Sequence, residues 1–584
     1  MTVAVVGSGP AADAVETALA DTEADVERVE TTRIGPANRL AVVVDQAGAA
    51  TFEHASDRAR DAGIPWFAVE LGGVGGYPLV DAAVASFDPE GACYRCLSAR
   101  VGSNAQADAE PTSPPADATA RFAGAVAGRE VATFLDPASP DHLGTVVELP
   151  YTRREFLPVP GCDCGGDRDR VLDGNAVDRP LDRSLERAER ALDDRVGIVA
   201  EVGEAESYPA PYYLAQLCDT SGFADAAAPR QAAGVDAGWD AAFMKALGEG
   251  LERYCAGVYH GEEFRRTAAT DLADAVPPSA FVRPEEWIDA AGGTDAAGDN
   301  PDGRDDAERP WVRGENVLTG DPASLPAELV HYPPPERTIK PSVTTGLGLG
   351  NATVEALLSG LYEVIERDAS TIAWYSSYDP LELVVEDPTF EQLAARAGAD
   401  DLDVTALLLT QDVDIPVVGV AVRREEYPKL ALGTAAHLDP ERAARSALAE
   451  AVQNFVELRE MGPEDAETVD GAIGPYARDP APVESFVDPD QQVPAAAVGP
   501  DDVPSGGRHL RAVADRVEAA DLDVFAARTT TRDVQKLGFE AVRVLVPEAQ
   551  PLFFDDPFFG ERARTVPEQL GFEADLDREH HPYP

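Results

Sequence analysis

Two glutamate-bearing segments have the residue types and spacing for charge chemistry. The second reads Asn351-Ala-Thr-Val-Glu355-Ala-Leu-Leu-Ser-Gly-Leu-Tyr-Glu363-Val-Ile-Glu366-Arg367. At about 100° per residue, Asn351, Glu355, Glu366 and Glu363 fall near 0°, 40°, 60° and 120° on one helical wheel. An amide and three carboxylates thus share a stripe on a helix that is otherwise apolar, as expected of a largely buried element. Clustered carboxylates repel one another and are costly to desolvate unless paired or bound to metal. The first segment, Met244-Lys-Ala-Leu-Gly-Glu249-Gly-Leu-Glu252-Arg253, places Glu249 and Glu252 three residues apart. Hard oxygen ligands suit Mg²⁺, which works alongside substrate phosphates. The alternative is two salt-bridged helix faces, with Glu252-Arg253 and Glu366-Arg367 as structural pairs. The recurrence of the pattern favours a metal–nucleotide site. No Walker loop and no kinase signature set accompanies it.

A third segment, Arg445-Ser-Ala-Leu-Ala-Glu450-Ala-Val-Gln453, completes an ordered set. Together, Glu249-x₂-Glu252-Arg253, Asn351-x₃-Glu355-x₇-Glu363-x₂-Glu366-Arg367 and Arg445-x₄-Glu450-x₂-Gln453 resemble the YcaO family. The resemblance spans roughly residues 190 to 584 and takes in Arg195-Val-Gly-Ile-Val and Thr530-Thr-Arg-Asp533. It implies Mg²⁺ held or supported by Glu249, Glu252, Glu355, Glu363 and Glu366. It also implies an ATP pocket using Asn351, Arg367, Arg445, Glu450 and Gln453, with Arg445 and Gln453 in catalytic positions. Lys245 stands where the family often has Ser, and can neutralise phosphate or signal a changed site. Ser342 to Gly350 keeps the family's Gly-rich approach to Asn351, read here as a loop close to the ligand.

The implied reaction is phosphorylation of a peptide amide oxygen by ATP. A Cys, Ser or Thr nucleophile yields an azoline by cyclodehydration, whereas external sulfide yields a thioamide. A third reading, of a different class, is a catalytically silent peptide-binding scaffold. Heterocyclising relatives end in Pro-x-Pro-x-Pro; here the end reads His580-His-Pro582-Tyr-Pro584, a partial match. It either brings Pro584 into the active site or frays. A precursor peptide is the expected substrate, with a dehydrogenase, a sulfur-delivery protein or a second copy of the chain as further partners to consider.

The elements that must position these residues begin with an α/β segment. Strand-like runs at residues 2 to 6, Leu40 to Asp45 and Pro65 to Glu70 alternate with helical stretches, predicting a small parallel sheet. Gly7-x-Gly9-x-x-Ala12 is a loose dinucleotide fingerprint. No acidic ribose-binding residue follows at the usual spacing, so a degenerate Rossmann-like scaffold is expected over a nucleotide site. Cys93-Tyr-Arg-Cys96 and Cys162-Asp-Cys164 form a structural Zn²⁺ pattern, with a CxC in place of the usual second CxxC. A redox CxxC and four inert thiols are the alternatives. Cys255 reads as core. This arrangement is similar to the E1/ThiF-like domain fused to YcaO domains in azoline-forming enzymes, which implies a grip on the leader of a precursor peptide.

The expected organisation is therefore residues 1–103 as an E1/ThiF-like α/β domain, 104–190 as a linker and zinc-binding segment, and 191–584 as an ATP-binding domain of α+β type. Asn104 to Ala118, Ala290 to Pro310 and Glu464 to Gly507 read as linkers or surface insertions. The 584 residues carry a net charge of -57 with 44% hydrophobic content. That balance is globular and matches adaptation to high intracellular salt, where screening relieves self-repulsion; an acidic face for a basic partner is the alternative. Nucleic-acid binding is disfavoured, because phosphate contacts need a basic face. Without a signal-like start or a long apolar run, a soluble cytoplasmic protein with no membrane association is expected.

Overall fold

The computed structural model describes residues 2–105, 115–137, 143–284, 305, 307–468 and 471–584. Parts of all three expected insertions, at 106–114, 290–304 with 306, and 469–470, lie outside the described residues. The chain forms two compact units. The smaller takes Met1–Arg168, Glu189–Glu201 and Gln216–Arg230, and the larger takes Asp169–Ala188, Val202–Ala215 and Gln231–Pro584.

The smaller unit is built on β1 (Thr2–Val6), β2 (Asp25–Arg28), β3 (Leu40–Gln46), β4 (Trp66–Leu71), β5 (Ala82–Phe87), β6 (Thr145–Glu148) and β7 (Thr152–Glu155). They form one seven-stranded sheet in the order β2-β1-β3-β4-β5-β6-β7. The first four pair in parallel and the last three join antiparallel. The apolar runs of β1, β3 and β4 are those of strands covered on both faces. Edge strand β2 is charged and mostly exposed, so no apolar run marks it in the sequence.

Four helices complete this unit: α1 (Pro10–Leu19), α2 (Ala50–Ala62), α3 (Tyr94–Asn104) and α4 (Asp117–Leu135). The turn into α1 needs glycine at position 7, where φ is 110° and a Cβ would lie 2.4 Å from the Val44 carbonyl oxygen. Helix α4 packs on α1 through the small residues Ala120, Ala123, Gly124, Ala127 and Gly128. The expected boundaries at 103 and 190 therefore move. Helix α4, β6 and β7 belong to the first unit, because a sheet ending at β5 would leave a long unpaired edge.

Strands β8 (Val199–Glu206) and β9 (Tyr212–Leu217) and helix α5 (Leu181–Ala188) occupy the stretch where the chain passes between units. The larger unit holds two mainly antiparallel sheets. One comprises β11 (Arg265–Thr267), β12 (Arg309–Asn316), β13 (Pro322–Pro326), β14 (Leu347–Gly350), β20 (Phe525–Arg528) and β21 (Glu540–Leu545), ordered β11-β12-β20-β21-β14 with β13 also on β12. The other comprises β15 (Leu381–Val384), β16 (Asp403–Leu408), β17 (Val417–Arg423), β18 (Leu430–Ala436) and β19 (Gln492–Pro494), ordered β18-β17-β16-β15-β19.

Three long helices serve these sheets: α6 (Trp239–Gly257), preceded by β10 (Gln231–Val235); α8 (Thr353–Trp374), preceded by α7 (Ala327–Val330) and β14; and α10 (Pro440–Asp465), which follows α9 (Pro388–Gly398) and β18. Helix α8 touches β14 and β21 of one sheet and β17 and β18 of the other. It is buried along nearly its whole length, as its all-round apolar composition requires. Among the described residues no helix is long and apolar enough to cross a membrane.

One buried ion network fastens α8 to the chain's last hundred residues. Arg562 contacts Asp368 at 2.8 and 3.2 Å and Asp412 at 2.8 and 3.0 Å. The Gln550 backbone N–H also donates to Asp368 at 2.7 Å, while the Gln550 side chain holds Phe558 and Gly560. Replacing Asp368 by Ala leaves the buried Arg562 guanidinium with Asp412 alone and the Gln550 N–H without its acceptor, and we expect the larger unit to lose about 3 kcal/mol in chemical denaturation. A midpoint unchanged from wild type would show that the network is dispensable.

Candidate active site

Carboxylates from three helices converge in the larger unit: Glu249 and Glu252 from α6, Glu363 and Glu366 from α8, and Glu450 from α10. Their mutual repulsion is felt directly. Burial first, and then the charges of Glu363 and Glu249, push the Glu252 carboxyl up to about 8. Burial with Glu450 and Glu363 pushes Glu366 up to about 8, against the opposing pull of Arg367 and the Thr434 hydroxyl. Glu249 and Glu450 are raised for the same leading reason.

Backbone N–H groups aim these side chains. Ala233 donates to Glu249 at 2.8 Å, Thr434 to Glu450 at 2.7 Å, and Gly346 to Glu363 at 3.0 Å. The Thr434 hydroxyl donates to Glu366 at 2.6 Å. Arg367 sits 3.6 Å from Glu366 and 3.9 Å from Glu450. Arg253 pairs with Glu249 at 2.5 Å. Ionising all five together would leave a local excess of negative charge over these few cations.

Beside the cluster lies a cavity of about 290 Å³ lined by Tyr332, Lys340, Ser342–Thr345, Glu363, Arg367, residues 551–556 and Phe558. Arg543 shapes one wall by donating to the carbonyls of Val343 and Thr344 at 2.9 and 3.0 Å. The Gly-rich segment divides its labour. Ser342–Thr345 faces the cavity, whereas Gly348 lies in β14, where a Cβ would fall 2.2 Å from the Ala356 carbonyl oxygen of α8. That glycine is a packing residue.

The remaining sequence-predicted residues lie in several places. Glu355 is exposed in the first turn of α8 and accepts from the Asn351 backbone and side chain at 2.8 and 3.1 Å. Eight residues of helix separate it from Glu363, about 12 Å along the axis, so these two carboxylates are not brought together. Lys245 pairs with Asp236 at 2.8 Å while its charge still reaches Glu450. Arg445 pairs with Asp387 at 2.6 Å, and Gln453 donates to Glu457 at 3.0 Å.

Residues 578–584 run inward. Arg578 stacks 3.7 Å over Trp374, Trp374 donates to the Glu579 carbonyl at 2.8 Å, and His581 and Tyr583 are fully buried. Arg367 donates to the main-chain oxygen of Pro584 at 3.3 Å. His580 accepts at its carbonyl from Tyr476 at 2.6 Å. Cys255 is buried, as its apolar neighbours predict. The sequence reading missed Lys340, Arg543 and the 551–558 wall. A signal existed for Lys340, which is one of only four lysines in the chain.

In the smaller unit, Cys93, Cys96, Cys162 and Cys164 place their Sγ atoms within 4.8 Å of one another, a group that could hold a metal ion. It is the one such group among the described residues; the Glu carboxylates are spread more widely. Sγ–Sγ separations are 3.8 Å for Cys93–Cys96, 3.5 Å for Cys93–Cys162 and 3.4 Å for Cys96–Cys164. Arg60 fixes the two Cys-bearing loops by donating to the carbonyls of Cys164 and Gly91.

The family model described as "YcaO cyclodehydratase, ATP- and Mg²⁺-binding" matches residues 233–550. That is more than half of the chain, and the chain belongs to the YcaO family. Among curated proteins it is similar to an uncharacterized protein of Methanothermobacter thermautotrophicus, 30% identical over 219 residues, covering 36% of this chain and 53% of the relative. It is also similar to an uncharacterized protein in the tfuA 3′ region of Rhizobium leguminosarum bv. trifolii, 28% identical over 163 residues, covering 25% and 38%. The chain thus spans about half or less of the curated relatives it matches. Among solved structures, a heterocyclase in complex with substrate and cofactor superposes with a TM-score of 0.74 at 20% identity over 100% of this chain and 85% of that one. The heterocyclase TruD gives 0.64 at 19% identity over 98% and 82%. At these identities the likeness is one of fold, and it extends to the seven-stranded parallel-containing sheet of the smaller unit as well as the larger one.

The raised Glu252 value has a consequence for stability. The folded state holds its proton more tightly than the unfolded chain, whose glutamates ionise near 4.3. The stability contributed by the neutral carboxyl is present in full below that pH and is lost as pH rises through about 8. Glu252→Gln cannot ionise, so without divalent cations its melting temperature should gain on wild type steadily from pH 5 to pH 8.5. Parallel curves would contradict the burial and repulsion described here.

Proposed function

We propose that this chain is an ATP-dependent peptide cyclodehydratase that converts Cys, Ser or Thr residues of a ribosomal peptide to azolines. The observation that carries this reading is the convergence of Glu249, Glu252, Glu363, Glu366 and Glu450 beside a cavity that also presents Arg367. A buried excess of like charge fits a divalent cation, which would relieve both the desolvation and the repulsion. Glu249, Glu252, Glu363 and Glu366 would hold Mg²⁺, which neutralises nucleotide phosphate charge. Glu355 and Asn351, paired to each other at the start of α8, are assigned to the nucleotide pocket rather than to the same ion. Arg367 offers guanidinium contacts to phosphate and to the Pro584 segment. Arg445 and Gln453 would leave their present partners, Asp387 and Glu457, to reach a nucleotide.

In the proposed reaction the side-chain nucleophile loses its proton and adds to the preceding amide carbon. The resulting oxyanion takes the γ-phosphoryl group of ATP and ADP departs. Loss of the amide N–H proton then forms the C=N bond as phosphate leaves. The net change is ATP to ADP and phosphate, with one water lost from the peptide. The tetrahedral oxygen becomes a leaving group without any protein nucleophile. The smaller unit would grip the leader of that peptide.

The test is phosphate release from Mg²⁺-ATP in high salt by the full chain, with a Cys/Ser/Thr-containing peptide encoded beside its gene. Wild type should show peptide-stimulated release with an 18 Da loss per ring, and Glu363→Gln should lower the rate by about 100-fold. Stimulated release with no mass loss, and sulfur incorporation on addition of sulfide, would replace cyclodehydration by thioamidation. Absence of nucleotide binding in both proteins would leave a scaffold.

The four cysteines are proposed as a structural Zn²⁺ site. Zn–S bonds of about 2.3 Å put tetrahedral sulfurs about 3.8 Å apart, close to the separations present. Metal analysis should find about one zinc per chain, and Cys96→Ser should lower both zinc content and the melting temperature. A metal-free wild type with unchanged stability in chelator would exclude a zinc staple.

A further inference from the structure

Lys340 is a cation that the family resemblance does not account for. The chain has four lysines among its 48 Lys and Arg residues. Lys245, Lys429 and Lys536 are exposed, whereas Lys340 is half-buried and lines the same cavity as Glu363 and Arg367. Among the described residues its ammonium has neither an ion-pair partner nor a side-chain hydrogen-bond partner.

The surroundings hold Lys340 in place without neutralising it. The nearby carboxylate, buried Glu328, accepts from the Thr338 N–H at 2.7 Å, the Thr338 hydroxyl at 2.8 Å and the Ile339 N–H at 2.6 Å. Its oxygens are therefore engaged by the turn that precedes Lys340, and Ile339 is packed in the interior. On the other side, Arg543 clamps the carbonyls of Val343 and Thr344. The backbone is thus fixed on both flanks, and the flexible side chain is left to reach into the cavity. Burial and the Arg543 charge lower the ammonium to about 8, so it stays charged at neutral pH and an anion in the cavity would stabilise that charge. A compact point charge on a long, flexible stem can meet a phosphoryl oxygen as a single charged donor, beside the bidentate fork that Arg367 offers.

We propose that Lys340 is a catalytic residue that donates a hydrogen bond to the γ-phosphoryl group during its transfer. The inference rests on the ATP-dependent reading of this cavity. In the step concerned, the bond from γ-phosphorus to the ADP oxygen breaks and ADP takes the electron pair. The bond to the amide-derived oxygen forms, and Lys340 keeps its proton throughout. The shared chemistry is an oxyanion, and two sources compete: the terminal phosphate of the nucleotide or an acidic side chain of the peptide.

Nucleotide binding separates them without any turnover. Calorimetry with full-length protein, Mg²⁺ and high salt would compare AMPPCP with ADP for wild type, Lys340→Met and Lys340→Arg. Loss of a charge-assisted hydrogen bond weakens AMPPCP binding by about 10- to 100-fold in Lys340→Met. ADP should stay within about twofold, and Lys340→Arg should recover part of the loss. Equal weakening of both nucleotides, or none, would overturn the assignment; so would a defect seen only in the peptide KM, which points to an acidic peptide group. If wild type itself fails to bind AMPPCP, the ATP-dependent reading falls first. A melting temperature for Lys340→Met equal to wild type would confirm that the change reports on the ligand and not on folding.

Discussion

The larger unit is organised around a repulsion. Five carboxylates on α6, α8 and α10 are drawn into a common, poorly hydrated region, where two of them are pushed up to about 8. Such a cluster survives because rigid elements surround it and because Glu249, Glu363, Glu366 and Glu450 are each held by a specific donor. Removing water raises the cost of each charge, and the same removal makes the region receptive to a cation and to the phosphates that accompany it. Arg367, Arg253 and Arg543 moderate the charge without cancelling it.

The device that brings the acids together recurs. In β10, β14 and β18 a glycine faces a helix so closely that a Cβ would fall 2.2–2.4 Å from helix backbone: Gly234 against α6, Gly348 against α8 and Gly433 against α10. A neighbouring strand N–H then meets the helix acid sixteen residues on, Ala233 to Glu249 and Thr434 to Glu450. In the α8 unit the equivalent donor is Gly346 to Glu363. Close strand–helix approach and acid orientation are one structural solution used on three helices. Packing and acid orientation share these residues, so enlarging any of these glycines would disturb both.

The smaller unit obeys a different constraint. Its sheet buries β1, β3 and β4 on both faces, and its Gly7 turn is dictated by the Val44 carbonyl. The loose dinucleotide fingerprint is thereby explained as packing. Edge strand β2 ends in Arg28, engaged by Asp13 and Glu16 of α1, where a ribose-binding acid would otherwise stand. The four cysteines come together from the start of α3 and from the segment after β7, and a metal ion held there, as proposed, would close a long loop.

The helical wheel, the buried α8, the parallel strands at the start and the four cysteines were legible in the sequence, because each is written in local spacing. Periodicity reports which face a residue occupies, and it placed Glu363 and Glu366 on one stripe of α8. The wheel also grouped Glu355 with Glu363, and there it misled: angle on a helix ignores rise along it, and about 12 Å separates the two. The domain boundary at 103 failed because α4, β6 and β7 complete a sheet that only pairing partners define. Lys340, Arg543 and the 551–558 wall were decided by tertiary structure alone. A cavity has no sequence period, since its walls come from segments some two hundred residues apart that meet through strand pairing and one buried Asp368–Arg562 network.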